Sequence, residues 1–141
     1  MRLSAPLLDI VILLDTDVMI DLLRGYPPAV AWLRLVRHEP LALPGFVVLE
    51  LLDGCSNRQE TDRLIKFVSS YRVLWPRVED CDRAISDFAA ARLERKLNIL
   101  DILIAECAVG FDLPLHTFNV KHLAAIPGLV AVQPYSKSSR Q

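Results

Sequence analysis

The run Ile10-Val11-Ile12-Leu13-Leu14 is apolar without a break and ends on Asp15-Thr16-Asp17. Such a run predicts a parallel strand covered on both faces. Asp17 to Arg24 then reads as a short helix stopped by Gly25 and the Pro27-Pro28 pair. A second helix, Pro28 to Arg37, places Val30, Leu33 and Val36 at helical spacing. Leu41 to Leu43 is a short strand, after which Pro44 and Gly45 open a helix through Leu52 that Gly54 ends. Asn57 or Thr61 caps the next helix, whose stripe is Leu64, Ile65, Val68 and Tyr71, and Arg72 to Trp75 is a strand. A long amphipathic helix follows, with Val78, Cys81, Ile85, Phe88 and Ala89 on one face and its end near Lys96. Ile99 to Val109 predicts a buried apolar helix stopped by Gly110. Leu115 to Phe118 is a strand, Val120 to Ala125 a short helix and Leu129 to Val132 the last strand.

Strands that alternate with helices predict an α/β fold, a parallel sheet sandwiched between helical layers. With no linker in view, residues 1–141 are expected to form a single domain, 1–10 being an N-terminal extension and 136–141 a polar tail. A chain of 141 residues with 52% hydrophobic positions can bury a core without staples. The formal net charge of −1 supplies no global attraction to nucleic acid or to anionic membranes, so a polyanion needs a local basic patch. Cys55, Cys81 and Cys107 have no close pairing and read as reduced thiols of a cytoplasmic protein. No segment approaches a transmembrane span, and Pro6 and Asp9 interrupt the apolar N-terminus, which lacks the form of a signal peptide.

The chemistry lies in isolated acids. Asp15 stands just beyond the carboxyl end of the first strand, where open α/β sheets bind ligands; a helix N-cap is its bland alternative. Glu50 interrupts the apolar helix Phe46-Val47-Val48-Leu49-Glu50-Leu51-Leu52, and Asp101 interrupts Ile99-Leu100-Asp101-Ile102-Leu103-Ile104. Unpaired buried carboxylates are costly, so each needs a reason. For Asp101 a first-turn position behind an Asn98 N-cap is one, and for Glu50 a salt bridge to an arginine is another. Convergence of Asp15, Glu50 and Asp101 would raise their pKa values unless a divalent cation neutralised them, and oxygen-only donors favour Mg²⁺ or Mn²⁺. An open carboxylate site of that type suits phosphodiester hydrolysis.

Four segments together carry a family resemblance: Leu13-Leu14-Asp15-Thr16-Asp17-Val18-Met19-Ile20-Asp21-Leu22-Leu23-Arg24-Gly25, Glu50-Leu51-Leu52-Asp53-Gly54, Asp101-Ile102-Leu103-Ile104-Ala105-Glu106-Cys107-Ala108, and Thr117-Phe118-Asn119-Val120-Lys121-His122-Leu123. In that order, over Val11 to Pro134, the chain resembles PIN-domain ribonucleases, specifically VapC-like toxins of toxin–antitoxin modules. The resemblance implies a three-layer α/β/α fold, Mg²⁺- or Mn²⁺-dependent RNA cleavage, a homodimer and inhibition by a small antitoxin. It makes Asp15, Glu50 and Asp101 the metal-site acids, with Thr16 and Thr117 orienting ligands. Asn119 stands where many members place Asp, which puts a second metal in question while keeping Asn119 in the catalytic set.

Other residues are weighed and set lower. Asp17 is expected to cap a helix or to reach the site through water, Asp21 to face solvent in preference to lining the pocket rim, and Glu106 to lie off Asp101's face. His122 reads as a surface helix residue, and Trp32 and Trp75 as core. The rivals are a haloacid-dehalogenase-like phosphohydrolase, for which Asp15 would be the nucleophile, a receiver domain, and a non-catalytic binding module of the PIN fold. The first expects a Gly-Asp motif where this chain has Leu100-Asp101; the second expects Lys-Pro where it has Gln133-Pro134.

Overall fold

The computed structural model describes residues 11–93 and 96–137. Ile10, the N-terminal extension 1–10 and the end of the tail, 138–141, lie outside them. Five parallel strands form one sheet in the order β3-β2-β1-β4-β5. They are β1 (Ile12–Leu14), β2 (Leu41–Pro44), β3 (Arg72–Leu74), β4 (Leu115–His116) and β5 (Ala131–Val132). The helices flanking the sheet are α1 (Thr16–Leu23), α2 (Pro27–Val36), α3 (Gly45–Asp53), α4 (Arg58–Val68), α5 (Val78–Ala91), α6 (Ile99–Phe111) and the short α7 (Val120–Leu123). Leu13, Leu14, Leu43 and Leu115 are fully buried, the signature of central strands covered on both sides.

The connectivity makes the functional geometry. From β1 the chain builds outward through β2 and β3, then returns to place β4 on the other side of β1. Leu13 pairs with Leu115 and Leu14 with His116, so the carboxyl ends of β1 and β4 stand side by side at the point where strand order reverses. Asp15 follows β1 and Thr117 follows β4 at that crevice, and the Asp15 N–H donates to the His116 carbonyl at 3.0 Å.

Four sequence expectations change. The stripe of α5 faces outward: Val78 is 77% and Ile85 72% exposed, Cys81 and Ala89 are exposed too, and Asp80, Ala84 and Ala91 are buried instead. The helix also ends at Ala91 rather than near Lys96. Gly110 does not stop α6, which runs through it to Phe111 and ends on Asp112 in the left-handed region at φ 55. Glycine is required at position 110 for another reason: a Cβ there would collide with the Asp80 carboxylate packed against it. Finally, Trp32 is core but Trp75 is 50% exposed, its ring lying over Gly45, where a Cβ would leave it no room.

Candidate active site

Asp15 is both a helix cap and a pocket residue. Its backbone is extended at φ −83, and its Oδ1 accepts from the Thr16 N–H at 2.7 Å, satisfying one orphan donor of α1. Its Oδ2 accepts from the Thr117 hydroxyl at 2.7 Å. Thr117 has a single proton to give, so the 3.5 Å approach to Asp17 Oδ2 is secondary; that oxygen is held by the Phe118 N–H at 2.9 Å. Asp17 Oδ1 is buried and has no hydrogen-bond partner. Across the crevice Thr16 Oγ1 donates to Glu50 Oε1 at 2.6 Å, so the partner of Glu50 is this hydroxyl and not an arginine. Asp101 lies in the first turn of α6 in a reciprocal capping box: its N–H donates to Asn98 Oδ1 at 2.9 Å, and its Oδ2 accepts from the Asn98 N–H at 3.0 Å.

These groups line one open pocket of about 470 Å³, formed by Asp15, Thr16, Asp17, Ile20, Glu50, Asp101, Phe118, Asn119 and Lys137. Thr117 is fully buried beneath it. Burial raises Asp15 to a pKa of about 7, the negative charge of Asp17 and more weakly that of Asp101 push the same way, and the Thr117 and Thr16 hydrogen bonds oppose them. Asp17 is also raised, by burial first, against the Phe118 hydrogen bond and the charge of Lys137. The acids share a pocket without closing on one point: among the described residues, no three His, Cys, Asp or Glu groups are gathered tightly enough to hold an ion. Asn119 makes no side-chain cap to α7; its Oδ1 accepts from His122 Nδ1 at 2.7 Å, while its N–H donates to Thr117 Oγ1.

The PIN domain family model matches residues 12–128. The chain belongs to the PIN-domain family. Ribonuclease VapC10 of Mycobacterium tuberculosis (strain ATCC 25618 / H37Rv) is 37% identical over 116 residues, covering 79% of this chain and 84% of that protein. Ribonuclease VapC19 of the same strain is 34% identical over 122 residues, covering 83% and 95%. Among solved structures, a toxin–antitoxin complex from Klebsiella pneumoniae is similar with a TM-score of 0.68 and 27% identity, over 89% of this chain and 99% of that one. VapBC-1 from nontypeable Haemophilus influenzae gives a TM-score of 0.74 at 22% identity, over 88% and 98%, a likeness of fold. Membership of the PIN family sets aside the phosphohydrolase and receiver alternatives.

PIN-domain VapC ribonucleases are generally dependent on a divalent metal. The residues of this PIN domain fit such an ion on two counts. Asp17 Oδ1 is a buried anionic oxygen in want of a partner, and every acid of the pocket offers hard oxygen donors. Of the residues that the sequence placed at the site, Asp15, Thr16, Asp17, Glu50, Asp101 and Asn119 line the pocket, whereas Thr117 does not and reaches it through Asp15. Sequence reasoning counted Asp17 among the secondary residues of the site, and it left Lys137 in a polar tail. The Asp17 signal was available: two residues after Asp15, at the start of a helix packed on the sheet, it could turn toward the same crevice.

Proposed function

We propose that this PIN domain is a metal-dependent endoribonuclease, the toxin of a toxin–antitoxin module, with Mg²⁺ or Mn²⁺ held by Asp15, Glu50 and Asp101 and assisted by Asp17. One observation carries the proposal: four carboxylates from three separate segments line a single pocket at the reversal point of the sheet, with no arginine among them. When bound, a divalent ion supplies activation of a water and charge neutralisation at the phosphodiester. The chain's own part is placement. Thr117 and the Thr16 N–H fix both oxygens of Asp15, Thr16 Oγ1 fixes Glu50, and Asn98 leaves Asp101 Oδ1 free of the capping box. Asn119 adds a neutral oxygen at the rim once His122 releases it.

The partners follow from the surfaces beside the pocket. A groove of about 610 Å³ shares Thr16, Ile20 and Glu50 with it and continues over Leu23, Leu51 and Leu64 toward Arg24 and Arg63. Its apolar floor suits an antitoxin segment, and an arginine from that segment would reach the carboxylates. The outward stripe Val78, Cys81 and Ile85 of α5 supports a homodimer. Among the described residues no helix is long and apolar enough to cross a membrane, and the three cysteines are free, both in keeping with a cytoplasmic protein. The test is direct: the purified, partner-free chain is expected to cut RNA in Mg²⁺ or Mn²⁺, and EDTA to stop it. RNA left intact at every metal concentration would favour the non-catalytic binding module.

A further inference from the structure

The carboxylate pocket has one cation in its wall among the described residues, Lys137. Its ammonium is held in place. Nζ lies 2.9 Å from Asp21 Oδ2 and 4.2 Å from the centre of the Phe118 ring, a cation–π contact. Phe118 donates its N–H to Asp17, so the ring that carries the ammonium is registered to the acids themselves. The segment after β5 is anchored by Tyr135, whose hydroxyl donates to the same Asp21 oxygen at 2.7 Å. The Tyr135 ring meets Phe118 edge-on at 4.8 Å and Trp32 at 6.0 Å. Asp21, one turn beyond Asp17 on α1, therefore holds this strap at the pocket rim and does not face solvent as the sequence suggested.

We propose that Lys137 contacts the substrate, its ammonium taking a backbone phosphate of the RNA strand that enters the carboxylate pocket. This rests on the ribonuclease reading of the site. A polyanion approaching four carboxylates on a chain of net charge −1 meets no general attraction, so a local cation has to receive it. An ammonium has three donors, and the Asp21 contact uses one. With its side chain 34% exposed, the group is also open to a ligand.

The experiment uses the full chain freed of any partner and a fluorescein-labelled single-stranded RNA of mixed sequence. Binding is followed in EDTA across a salt series, and cleavage in Mn²⁺. Lys137→Gln is expected to weaken binding about tenfold, the scale of one charge-assisted hydrogen bond. The slope of log affinity against log salt should fall by about 0.7, the value for one single-strand phosphate contact. In cleavage KM should rise with kcat little changed, and Lys137→Arg should restore slope and KM. On the unsubstituted protein, RNA should protect Lys137 but not Lys66 from amine acetylation, which answers the question even if the Gln variant melts early. An unchanged slope with unprotected Lys137 overturns the proposal, as does faster cleavage by Lys137→Gln, which would make Lys137 a counter-ion for the acids. A parent that binds RNA without cutting it overturns the ribonuclease reading alone, and Lys137 is then judged by the slope. A parent that does not bind RNA overturns both.

Discussion

Asp101 and Glu106 stand five residues apart on the same helix, α6, and serve two different groups of acids. Asp101 turns to the pocket beyond β1, where Asp15, Asp17 and Glu50 join it. Glu106 turns to α5, fully buried, where Arg83 Nε holds it at 2.6 Å and Arg83 Nη2 also takes Asp80 at 2.9 Å. Arg77 adds a 3.2 Å contact to Asp80 and donates to the Gly110 carbonyl. Burial pushes Asp80 up, but the hydrogen bonds from Arg77 and Arg83 outweigh it and hold the group below its ordinary value. Glu106 is raised to about 7, by burial first and then by Asp87, against the Arg83 contact, and its Oε2 is buried without a hydrogen-bond partner. The clamp thus carries its own cations and closes two helices. The pocket sets four carboxylates against Lys137 alone among the described residues, and on the function proposed above that is the difference between an acid that builds the fold and one that waits for a ligand.

The comparison breaks most visibly in activity. Asp101→Asn should lower RNA cleavage by roughly a thousandfold, the scale of losing one group that stabilises developing charge, with the circular dichroism spectrum unchanged. Retained cleavage would take Asp101 out of the site. Arg83→Met does the reverse. It strands Glu106 without its cation, leaves Asp80 to Arg77 alone, and should cost about 3 kcal/mol of stability, seen in denaturant melts, while cleavage per folded molecule survives. Equal loss of activity per folded molecule would mean that the clamp belongs to the catalytic machinery.

The acidity of Asp15 sharpens the contrast through pH. In the unfolded chain Asp15 titrates near 3.8 and in the folded one at about 7, so the folded state holds the extra proton between those values. Its effect on the metal-free protein is therefore absent below about pH 4 and grows as a loss of stability up to about pH 7, at most roughly 4 kcal/mol. Asp15→Asn should remove that decline and melt above the parent at pH 8, where matching pH profiles would show Asp15 to be fully answered by Thr117 and Thr16. The smallest effect belongs to Asn119. Asn119→Asp should tighten metal binding several-fold, and Asn119→Ala should lose the His122 contact at about 1 kcal/mol. Identical metal titrations for parent, Asp and Ala would remove Asn119 from the site.

What the sequence reveals depends on whether a residue's signal is local. The strand ending on Asp15, the Asn98 box that holds Asp101, and the acid set into the apolar run of α3 are each legible in a few neighbouring residues. The alternation of strands and helices fixes the parallel sheet, and the sheet fixes the crevice. The face of α5 is not local: an apolar stripe says that something covers Val78 and Ile85, not that the cover is this chain's own core. The buried side of that helix holds Asp80 beside Ala84 and Ala91 because Arg77 and Arg83 neutralise that acid, and the same two arginines reach α6 at Gly110 and Glu106, which periodicity does not encode. Gly110 shows the same limit, since its role is set by Asp80 from another helix. Lys137 is a single lysine in a polar stretch, and only the folded strap through Tyr135 and Asp21 brings it to the pocket.

The central claim is that the pocket acids, and not the clamp acids, await a divalent ion. Its most direct measurement is thermal melting of the partner-free protein across a Mn²⁺ titration for the parent, Asp101→Asn and Arg83→Met. Binding to the folded state alone raises the melting temperature with the logarithm of ion concentration above Kd. The expected result is a rise for the parent and an equal increment for Arg83→Met from its lower starting point, with Asp101→Asn nearly flat. A parent that does not respond, or an Asp101→Asn protein that climbs as steeply as the parent, would contradict it.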